Sequence, residues 1–399
     1  MDYNETEYLN ALGFGNGLPI AVGDGGNNQF KIVSDGALLR SSNKPEVVIF
    51  DHAIAEIDQG TYERLMHYFE RGDASHLVRW RDRFFVVGEQ AYSVAPGFTP
   101  LSGRAKMTRD YYGIMFMHGV AKLFNGRVPE EFNAFLAHPP GDLEHRDTLM
   151  KSVHGKWSIE VGGVQIRTNV VYTNAYEEIV GGIHNTTHGI DGQLINGNPL
   201  EGKGPFLAAD LGGGSLDLAW IRKDLSIDYN RPMISERIGV NTALRAFKQA
   251  FDVKYAKLLR DAEDGIPRDV VLSIFMDEAH TVNVAGEILN CAEMYNQSAA
   301  PVIRQMLKAV QQFSRGSVGV GGVLLTGGGS AAFYDQICEQ VFPAYQKNKA
   351  IYRSAARQED MIRSNVEGGL KIAKAMAVVG KADAERYLKV SGYGKRTKR

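Results

Sequence analysis

Two short segments of the chain combine an aspartate with a run of glycines, and each follows an apolar stretch. The first begins at Asp24 and reads DGGNNQFK, and the second begins at Asp210 and reads DLGGGSLD. The backbone N–H groups of a glycine turn can converge on phosphate oxygens, and the absence of side chains lets a phosphate approach closely. The residues predicted to line these two turns are Gly25, Gly26, Asn27, Asn28, Gly212, Gly213, Gly214 and Ser215.

The charged residues of these segments have different predicted roles. A carboxylate is repelled by phosphate, but it can support the hydrated Mg²⁺ that accompanies a nucleotide, because Mg²⁺ keeps several waters and takes few carboxylates. Lys31 follows Asp24 by seven residues and can return along the next strand to neutralise phosphate charge. We therefore assign Asp24 and Asp210 to a magnesium site and Lys31 to phosphate binding.

A third glycine cluster follows the apolar run 323–326. Gly327, Gly328 and Gly329 lie between this predicted strand and a predicted helix, where a base or a ribose could rest against the backbone. Taken alone, the cluster is more typical of a tight strand-to-helix turn.

The spacing of the two aspartates indicates an internal repeat. Asp24 and Asp210 are 186 residues apart (210 − 24), which is close to half of the 399-residue chain. Both hairpins consist of an apolar strand, an aspartate, a glycine turn and a second apolar strand. This pattern predicts two related domains.

The remaining pattern predicts the elements that position these segments. A loop rich in Gly and Asn at 185–204 is the best candidate for a domain boundary. We place the first domain at 1–183, with a small inserted subdomain of short strands and charged turns at about 37–95. The second domain is placed at 184–399, with a helical insertion at about 240–315 and a last helix that packs back near the hinge. Individual helices are predicted at 108–124, 143–151, 330–341 and 366–379.

The composition excludes several classes of protein. A formal net charge of -1 gives no sign of a nucleic-acid or anionic-membrane partner. The two cysteines, Cys291 and Cys338, form no CxxC motif and no disulfide framework, which fits a reducing compartment. No stretch approaches the roughly 18 apolar residues that a membrane-spanning helix needs. We therefore expect a cytoplasmic protein.

The order and spacing of the three glycine segments resemble those of the superfamily of sugar kinases, heat-shock-70 proteins and actin. In that superfamily they are two phosphate loops and an adenosine loop. The interdomain connections also have counterparts here, AYEEIVGG at 175–182 and NVEGGLKIAKA at 365–375. Within the superfamily the chain is most similar to ParM-type plasmid-segregation proteins and archaeal actin-like proteins, for example in the segment RIGVNTALRAF at 237–247.

The resemblance implies a hydrolytic residue in the first connection, where a Glu or Gln orients the attacking water. The pattern of an acidic or amide residue followed two residues later by glycine fits Glu178 best. Glu177 is the rival, because the proline that usually precedes this position is missing. Glu178 could act as a general base, or it could be a helix-start carboxylate favoured by the helix dipole. With Asp24 and Asp210, Glu178 forms the predicted catalytic set.

The resemblance also implies a fold and a function. The fold is α/β, with two related actin-like (ribonuclease H-like) domains around a nucleotide cleft and small inserted subdomains. The expected function is an ATPase that uses ATP, or GTP in its place, with Mg²⁺ and polymerises into filaments for plasmid or phage DNA segregation or a cytoskeletal role. The expected partners are further copies of the chain and a DNA-bound adaptor protein, with no direct contact to nucleic acid or membrane.

Two other functions remain open from the sequence. A small-molecule kinase of the same superfamily would need an aspartate base for a substrate hydroxyl, and no clear candidate is evident. A membrane-linked division scaffold would need an amphipathic tail, and the C-terminal segment has only a thin apolar face.

Two motifs are set aside. GNPLEGKG at 197–204 fails as a Walker A loop, because Gly204 stands where a Ser or Thr should hold Mg²⁺. DEAH at 277–280 lacks a Walker A partner and is expected to be part of a surface helix.

Overall fold

A computed structural model describes most of the chain. The described residues are 13–26, 29–36, 46–69, 74–94, 110–140, 143–231, 233–259, 265–314 and 320–391. They group into two compact units. The first is drawn from Met1–His138, Asp142–Asn196 and Asn365–Arg399, and the second from Pro139–Gly141 and Gly197–Ser364.

The first unit is built on a mixed sheet of nine strands in the order β3-β2-β1-β7-β9-β8-β5-β6-β4. The interior strand β1 is buried along its whole length, as expected for a strand covered on both faces. The strands are β1 (Ile20–Gly25), β2 (Gln29–Ser34), β3 (Val47–Asp51), β4 (Ile54–Ile57), β5 (Leu77–Trp80), β6 (Arg83–Val87), β7 (Glu131–His138), β8 (Gly155–Val161) and β9 (Val164–Glu177).

The described residues of the first unit form six α-helices. The most deeply buried is α3, which packs on β2 and β3 and lacks a side chain at Gly119, where Ile32 and Phe50 approach the helix. The helices are α1 (Gln59–Phe69), α2 (Gln90–Val94), α3 (Tyr111–Leu123), α4 (Leu143–Val153), α5 (Glu178–Thr187) and α12 (Ser364–Ser391), the last of these from Asn365 onward.

The second unit contains a five-stranded sheet in the order β12-β11-β10-β15-β16 and a separate hairpin, β13-β14. Its strands are β10 (Phe206–Leu211), β11 (Leu216–Ile221), β12 (Ile234–Glu236), β13 (Thr281–Val284), β14 (Glu287–Asn290), β15 (Gly322–Thr326) and β16 (Ile351–Arg353). Its helices are α6 (Val240–Lys254), α7 (Arg268–Met276), α8 (Ala292–Phe313), α9 (Gly328–Ala332), α10 (Tyr334–Gln336) and α11 (Pro343–Lys347).

Both sheets contain the same five-strand arrangement. In the first unit β3, β2 and β1 pair antiparallel, and β7 and then β9 continue parallel to β1. In the second unit β12, β11 and β10 pair antiparallel, and β15 and β16 continue parallel to β10. The duplication predicted from the spacing of the two hairpins is therefore confirmed at the level of topology.

The segment predicted as an inserted subdomain differs from the expectation in two ways. Strand β3 belongs to the repeated five-strand arrangement, so the insertion begins after it. The segment predicted to contain strands and turns also contains the helix α1. Strands β5, β6 and β4 then extend the main sheet through β8, because β5 pairs with β8.

Three local predictions in the second unit are wrong. The helical insertion includes the hairpin β13-β14. The helix predicted at 330–341 is interrupted at Phe333, because the Tyr295 hydroxyl donates to the carbonyl oxygen of Ala332 and the chain continues as α10 and a π-helical turn. DEAH at 277–280 is not helical: Asp277 caps α7 and accepts the N–H groups of Ala279 and Thr281, which forms a turn.

The limits of the two units differ from the predicted domain limits. The units divide after Asn196, whereas the sequence placed the boundary after residue 183. The loop that follows α5 stays with the first unit, because His188 pairs with Leu194 and Gly192 packs against the backbone of α12. That the predicted boundaries separate two independently moving domains stays a prediction. No described helix is both long and apolar enough to cross a membrane.

Candidate functional site

The first hairpin places Asp24 beside Lys31. The two residues are opposite each other in the β1-β2 register, and Nζ of Lys31 lies 2.9 Å from Oδ2 of Asp24. Asp24 is 1% exposed and Lys31 is 12% exposed. Among the described residues, no donor is within hydrogen-bonding distance of the buried Oδ1 of Asp24. A buried carboxylate oxygen of this kind can accept a hydrogen bond from a metal-bound water.

The glycines of the first turn keep this ion pair accessible. A Cβ atom on Gly25 would lie 2.7 Å from Cε2 of Tyr112, so only glycine fits there. A Cβ atom on Gly26 would lie 3.9 Å from both Oδ1 of Asp24 and Nζ of Lys31, where it would cover the pair. Nδ1 of His52 donates to the carbonyl oxygen of Gly26 and fixes the turn. Asn27 and Asn28, which were predicted to bind phosphate, lie outside the described residues.

Three parallel strands bring further polar residues to the same edge of the first sheet. Asp24 is next to Ala137 in the β1-β7 register, and His138 is next to Glu177 in the β7-β9 register. The carboxyl ends of β1, β7 and β9 therefore lie side by side, which is where open α/β sheets bind ligands. Glu177 is the N-cap of α5 and is 7% exposed, and Glu178 is the first residue of that helix.

Two buried tyrosines are affected by the charges of both Asp24 and Glu178. Burial raises the pKa of Tyr112 well above its usual value, and the negative charges of Asp24 and Glu178 raise it further. The pKa of Tyr176 is raised in the same order by burial, Asp24 and Glu178. Both predicted acidic residues of the first unit thus act on the same two phenols. Neither tyrosine is acidic enough to exchange a proton with Glu178 at neutral pH.

The second hairpin repeats the first with one change of charge. Asp210 lies at the end of β10 opposite Asp217 of β11, and the two are 3% and 2% exposed. Asp217 occupies the position that Lys31 has in the first hairpin, at the same offset of 186 residues (217 − 31). Like charges directly opposite on neighbouring strands destabilise the pair. A bound divalent cation would offset this repulsion, so Asp210 with Asp217 fits a magnesium site.

The glycine turn of the second hairpin rests on the start of α6. The N–H of Gly212 donates to the carbonyl oxygen of Ser215 at 2.8 Å, which closes the turn. The carbonyl oxygens of Gly212 and Gly213 accept the N–H groups of Val240 and Asn241, at 3.2 and 2.9 Å. The 15-residue helix α6 therefore points its N-terminus at the turn, where the helix dipole favours an anion.

The third glycine turn packs directly against the second hairpin. Gly327 has φ +87°, and a Cβ atom there would overlap Oδ1 of Asp210. A Cβ atom on Gly329 would lie 2.7 Å from the carbonyl oxygen of Leu211. The N–H of Leu211 donates to Oγ of Ser330 at 3.4 Å. The structure thus brings Asp210 and the residues 212–215 and 327–329 into one site within the second unit.

Four of the residues at these two half-sites were missed by the sequence analysis. Tyr112 fell within a predicted core helix, and its hydroxyl gives no pattern in the sequence. His52 and His138 are isolated histidines without a motif. Asp217 could have been found, because the internal repeat aligns it with Lys31.

The described residues contain no group of three or more His, Cys, Asp or Glu side chains arranged to hold a metal ion. A metal at Asp24 or Asp210 would therefore keep waters or take ligands from a bound phosphate, which is the coordination that Mg²⁺ prefers.

No protein-family model and no curated protein sequence matches the chain, but solved structures do. The actin-like protein Alp7A is 14% identical, with 92% of this chain and 99% of that chain covered and a TM-score of 0.70. Ta0583, an archaeal actin homolog in complex with ADP, is 14% identical, with 88% and 97% covered and a TM-score of 0.62. The filament structure of AlfA from the B. subtilis plasmid pLS32 is 12% identical, with 88% and 97% covered and a TM-score of 0.53.

ParM proteins, including one from Bacillus thuringiensis, are among the other structures that match. At such identities the likeness establishes the fold. The chain has the two-domain α/β fold of actin-like proteins, and the predicted similarity to ParM-type and archaeal actin-like proteins is confirmed at that level.

Proposed function

We propose that this chain, with its actin-like fold, binds ATP together with Mg²⁺, hydrolyses it, and assembles into filaments in a nucleotide-dependent way. One observation carries the proposal. In each unit the same five-strand arrangement contains a strand, β1 or β10, whose next-to-last residue is a buried aspartate, and a glycine turn follows that strand. A single such hairpin is common, but a structurally equivalent pair is what the gripping of a polyphosphate from two domains requires.

Each half-site has a distinct part in nucleotide binding. The backbone N–H groups of Gly25, Gly26 and residues 213–215 are proposed to bind phosphate oxygens, with Gly212 closing the second turn and Lys31 neutralising the phosphate charge. Residues 327–329 are proposed to lie against the adenosine. Asp24 and Asp210 would support Mg²⁺, which when bound neutralises charge on the phosphates. The ADP complex of Ta0583 supports a nucleotide as the ligand.

Hydrolysis is assigned to Glu178. Its carboxylate lies at the edge of the sheet where Asp24 ends β1, and both act on Tyr112 and Tyr176. There it could orient a water and accept its proton. Glu177 is the alternative, and its 7% exposure leaves it less able to reach a water.

Assembly and cellular role are proposed from the fold. AlfA is a plasmid protein whose structure is that of a filament. We propose that this chain likewise forms filaments with further copies of itself and that these serve plasmid or phage DNA segregation or another cytoskeletal role. A DNA-bound adaptor protein would make the connection to DNA, without direct contact of the chain to nucleic acid or membrane.

The test combines assembly with nucleotide turnover. Light scattering should rise when Mg²⁺-ATP is added above a threshold protein concentration and should fall as phosphate is released. ADP, and ATP with a chelator, are the controls, and GTP in parallel reports the base preference. A folded protein that neither binds nor hydrolyses ATP or GTP would contradict the proposal.

A small-molecule kinase of the same fold is the second candidate. It would remain monomeric at high concentration with Mg²⁺-ATP, and its ATP consumption would require an added acceptor such as a sugar. ATP consumption without an acceptor, together with pelleting, decides for the filament.

A further inference from the structure

Two surface features of the second unit lie at opposite ends of one helix. The hairpin β13-β14 is joined to the start of α8 by Cys291 alone, and a pocket of about 390 Å³ lies beside the last turns of α8. Between Ala292 and Val310 the helix advances roughly 27 Å at 1.5 Å per residue. The hairpin and the pocket therefore cannot touch within one copy of this unit.

The hairpin carries an apolar residue on its outer face. Val282 and Leu289 are paired and pack against the core of the unit, and the next pair, Asn283 and Ile288, points the other way. An outer face of a hairpin is normally polar, but Ile288 is 77% exposed. The side chain of Ile288 is therefore accessible to a partner.

The pocket is apolar inside and polar at its mouth. Leu207 and Trp220, which are paired across β10 and β11, line it together with Leu307, Val310 and Phe342. The exposed side chain of Gln311 lies at the mouth. Leu207 lies at the start of β10, whereas Asp210 lies near its end, so a side chain in this pocket would not compete with a nucleotide.

The charges at the two ends of α8 are complementary. Glu278 and Glu287 are exposed at the hairpin end. Glu293 is exposed there too, although a carboxylate in the first turn of a helix is already favoured by the helix dipole. The exposed Lys254 lies near Cys291 at the same end. At the pocket end the exposed bases Lys308, Lys347, Lys349, Arg222 and Lys223 outnumber the exposed acids Glu339 and Asp224.

We infer that Ile288 of one copy enters the pocket beside α8 of the next copy, as a longitudinal contact of the proposed filament. The inference rests on the proposed assembly and names the surfaces that form it. A contact between two different patches at opposite ends of one body is heterologous, so each added copy presents a new pocket and a new hairpin. The acidic hairpin end then faces the basic pocket end, which steers the copies into this register.

A substitution at the tip tests the contact. Ile288→Asp should raise the critical concentration for pelleting with Mg²⁺-ATP by about tenfold or more, as for an apolar anchor in a desolvated pocket. Because Ile288 is exposed, the variant should fold and bind ATP like the parent. Val253→Asp is the matched control, since Val253 is 81% exposed in the same unit and lies on α6. It should assemble like the parent.

Cross-linking between two variants tests the partner surface. Ile288→Cys protein mixed with Gln311→Cys protein and a short bis-maleimide should give a covalent dimer with Mg²⁺-ATP, and neither variant alone should. The native cysteines, Cys291 and Cys338, are buried. Three results would overturn the inference when the parent assembles: normal assembly of Ile288→Asp, an equal loss of assembly in Val253→Asp, or no cross-linked dimer in the mixture. The proposed function would stand in each case. If the parent does not assemble with any nucleotide, both fail.

Discussion

A carboxylate at the end of a buried strand must be paired, protonated or near a cation, and the two halves of this chain meet that need differently. In the first half Asp24 has Lys31 as its partner at 2.9 Å. In the second half the position opposite Asp210 holds Asp217, a second carboxylate. Two carboxylates at this position favour a bound cation, and we expect Asp210 to contribute to the support of Mg²⁺.

Removing the charge of Asp210 should therefore stop turnover without unfolding the protein. Asp210→Asn keeps the size of the side chain and relieves the repulsion with Asp217, so the melting temperature without nucleotide should be equal or higher. Mg²⁺-dependent phosphate release should fall by about 100-fold or more, since metal-ion stabilisation of charge is worth several kcal/mol. The measurement is phosphate release at several Mg²⁺ concentrations beside thermal melting. Normal Mg²⁺-dependent turnover in folded Asp210→Asn protein would refute the metal assignment.

Glu178 and Glu177 can be separated by matched variants. Glu178→Gln should leave ATP affinity nearly unchanged and lower hydrolysis by about 10²–10⁴-fold, the usual contribution of a positioned base. Filaments of this variant should form and persist, because hydrolysis is proposed to weaken them. Glu177→Gln should hydrolyse ATP like the parent, because Glu177 is the extended last residue of β9 and its side chain points in a different direction from that of Glu178, the first residue of α5.

Phosphate release and pelleting of both variants provide the measurement. If Glu177→Gln is the inactive protein, the register of the assignment is wrong by one residue. If both variants turn over ATP normally, this connection does not supply the base.

At the scale of elements, the third glycine turn shows why glycine is required beside the second hairpin. Gly327→Ala places a Cβ atom against Oδ1 of Asp210 at a φ that L residues rarely adopt, so we expect a loss of about 1–3 kcal/mol in unfolding free energy and weaker ATP binding. Gly328→Ala is the control for the unfolding free energy, because its Cβ would meet only the Ile362 side chain at 3.2 Å. Urea unfolding and ATP titration of both variants test this. Equal effects would show that Gly327 is not specifically required.

The contact between α5 and α12 contains a pH-sensitive pair. The rings of His184 and His188 are stacked with their centroids 4.5 Å apart, near Lys371, which itself lies near Glu367. Burial, then the charge of His188, lowers the pKa of His184 from 6.5 to about 4. Burial and Lys371 also lower the pKa of His188.

Stability should therefore decrease as the pH falls from about 6.5 towards about 4, because the unfolded chain binds the proton first. From His184 alone the loss is about 2 kcal/mol at pH 5. Urea unfolding at pH 7 and pH 5 measures it, and His184→Gln should have a flatter dependence. An unchanged pH dependence in His184→Gln would show that another group is responsible.

The elements that could be predicted from the sequence are those whose formation depends on residues nearby in the chain. Glycine turns after buried strands, and their repetition at an offset of 186 residues, are visible because no other residue type fits close to a phosphate or to Tyr112. The break at Phe333 was hidden, because it depends on a hydroxyl 37 residues away in Tyr295. The assignment of β3 to the main sheet likewise depends on its pairing with β2. The formation of hairpin β13-β14 depends on its packing against the core of the second unit.

At the scale of the whole molecule, the proposed function assigns residues of both units to the binding of one nucleotide. Asp24, Lys31 and Glu178 belong to the first unit, whereas Asp210 and Gly327 belong to the second. The residues within each half were predicted from the sequence, since they form motifs along the chain. Tyr112 and His52 were not, because they reach the site from α3 and from the turn after β3. The central claim is that one nucleotide is bound by both halves together.

Titration calorimetry with Mg²⁺-ATP on variants of each half tests that claim most directly. The parent should bind one nucleotide per chain. Lys31→Ala, in the first unit, and Gly327→Ala, in the second, should each weaken that same site by about tenfold or more, as expected when a charged hydrogen bond or a close backbone contact is lost. Two independent sites in the parent, or full affinity in either folded variant, would contradict the account.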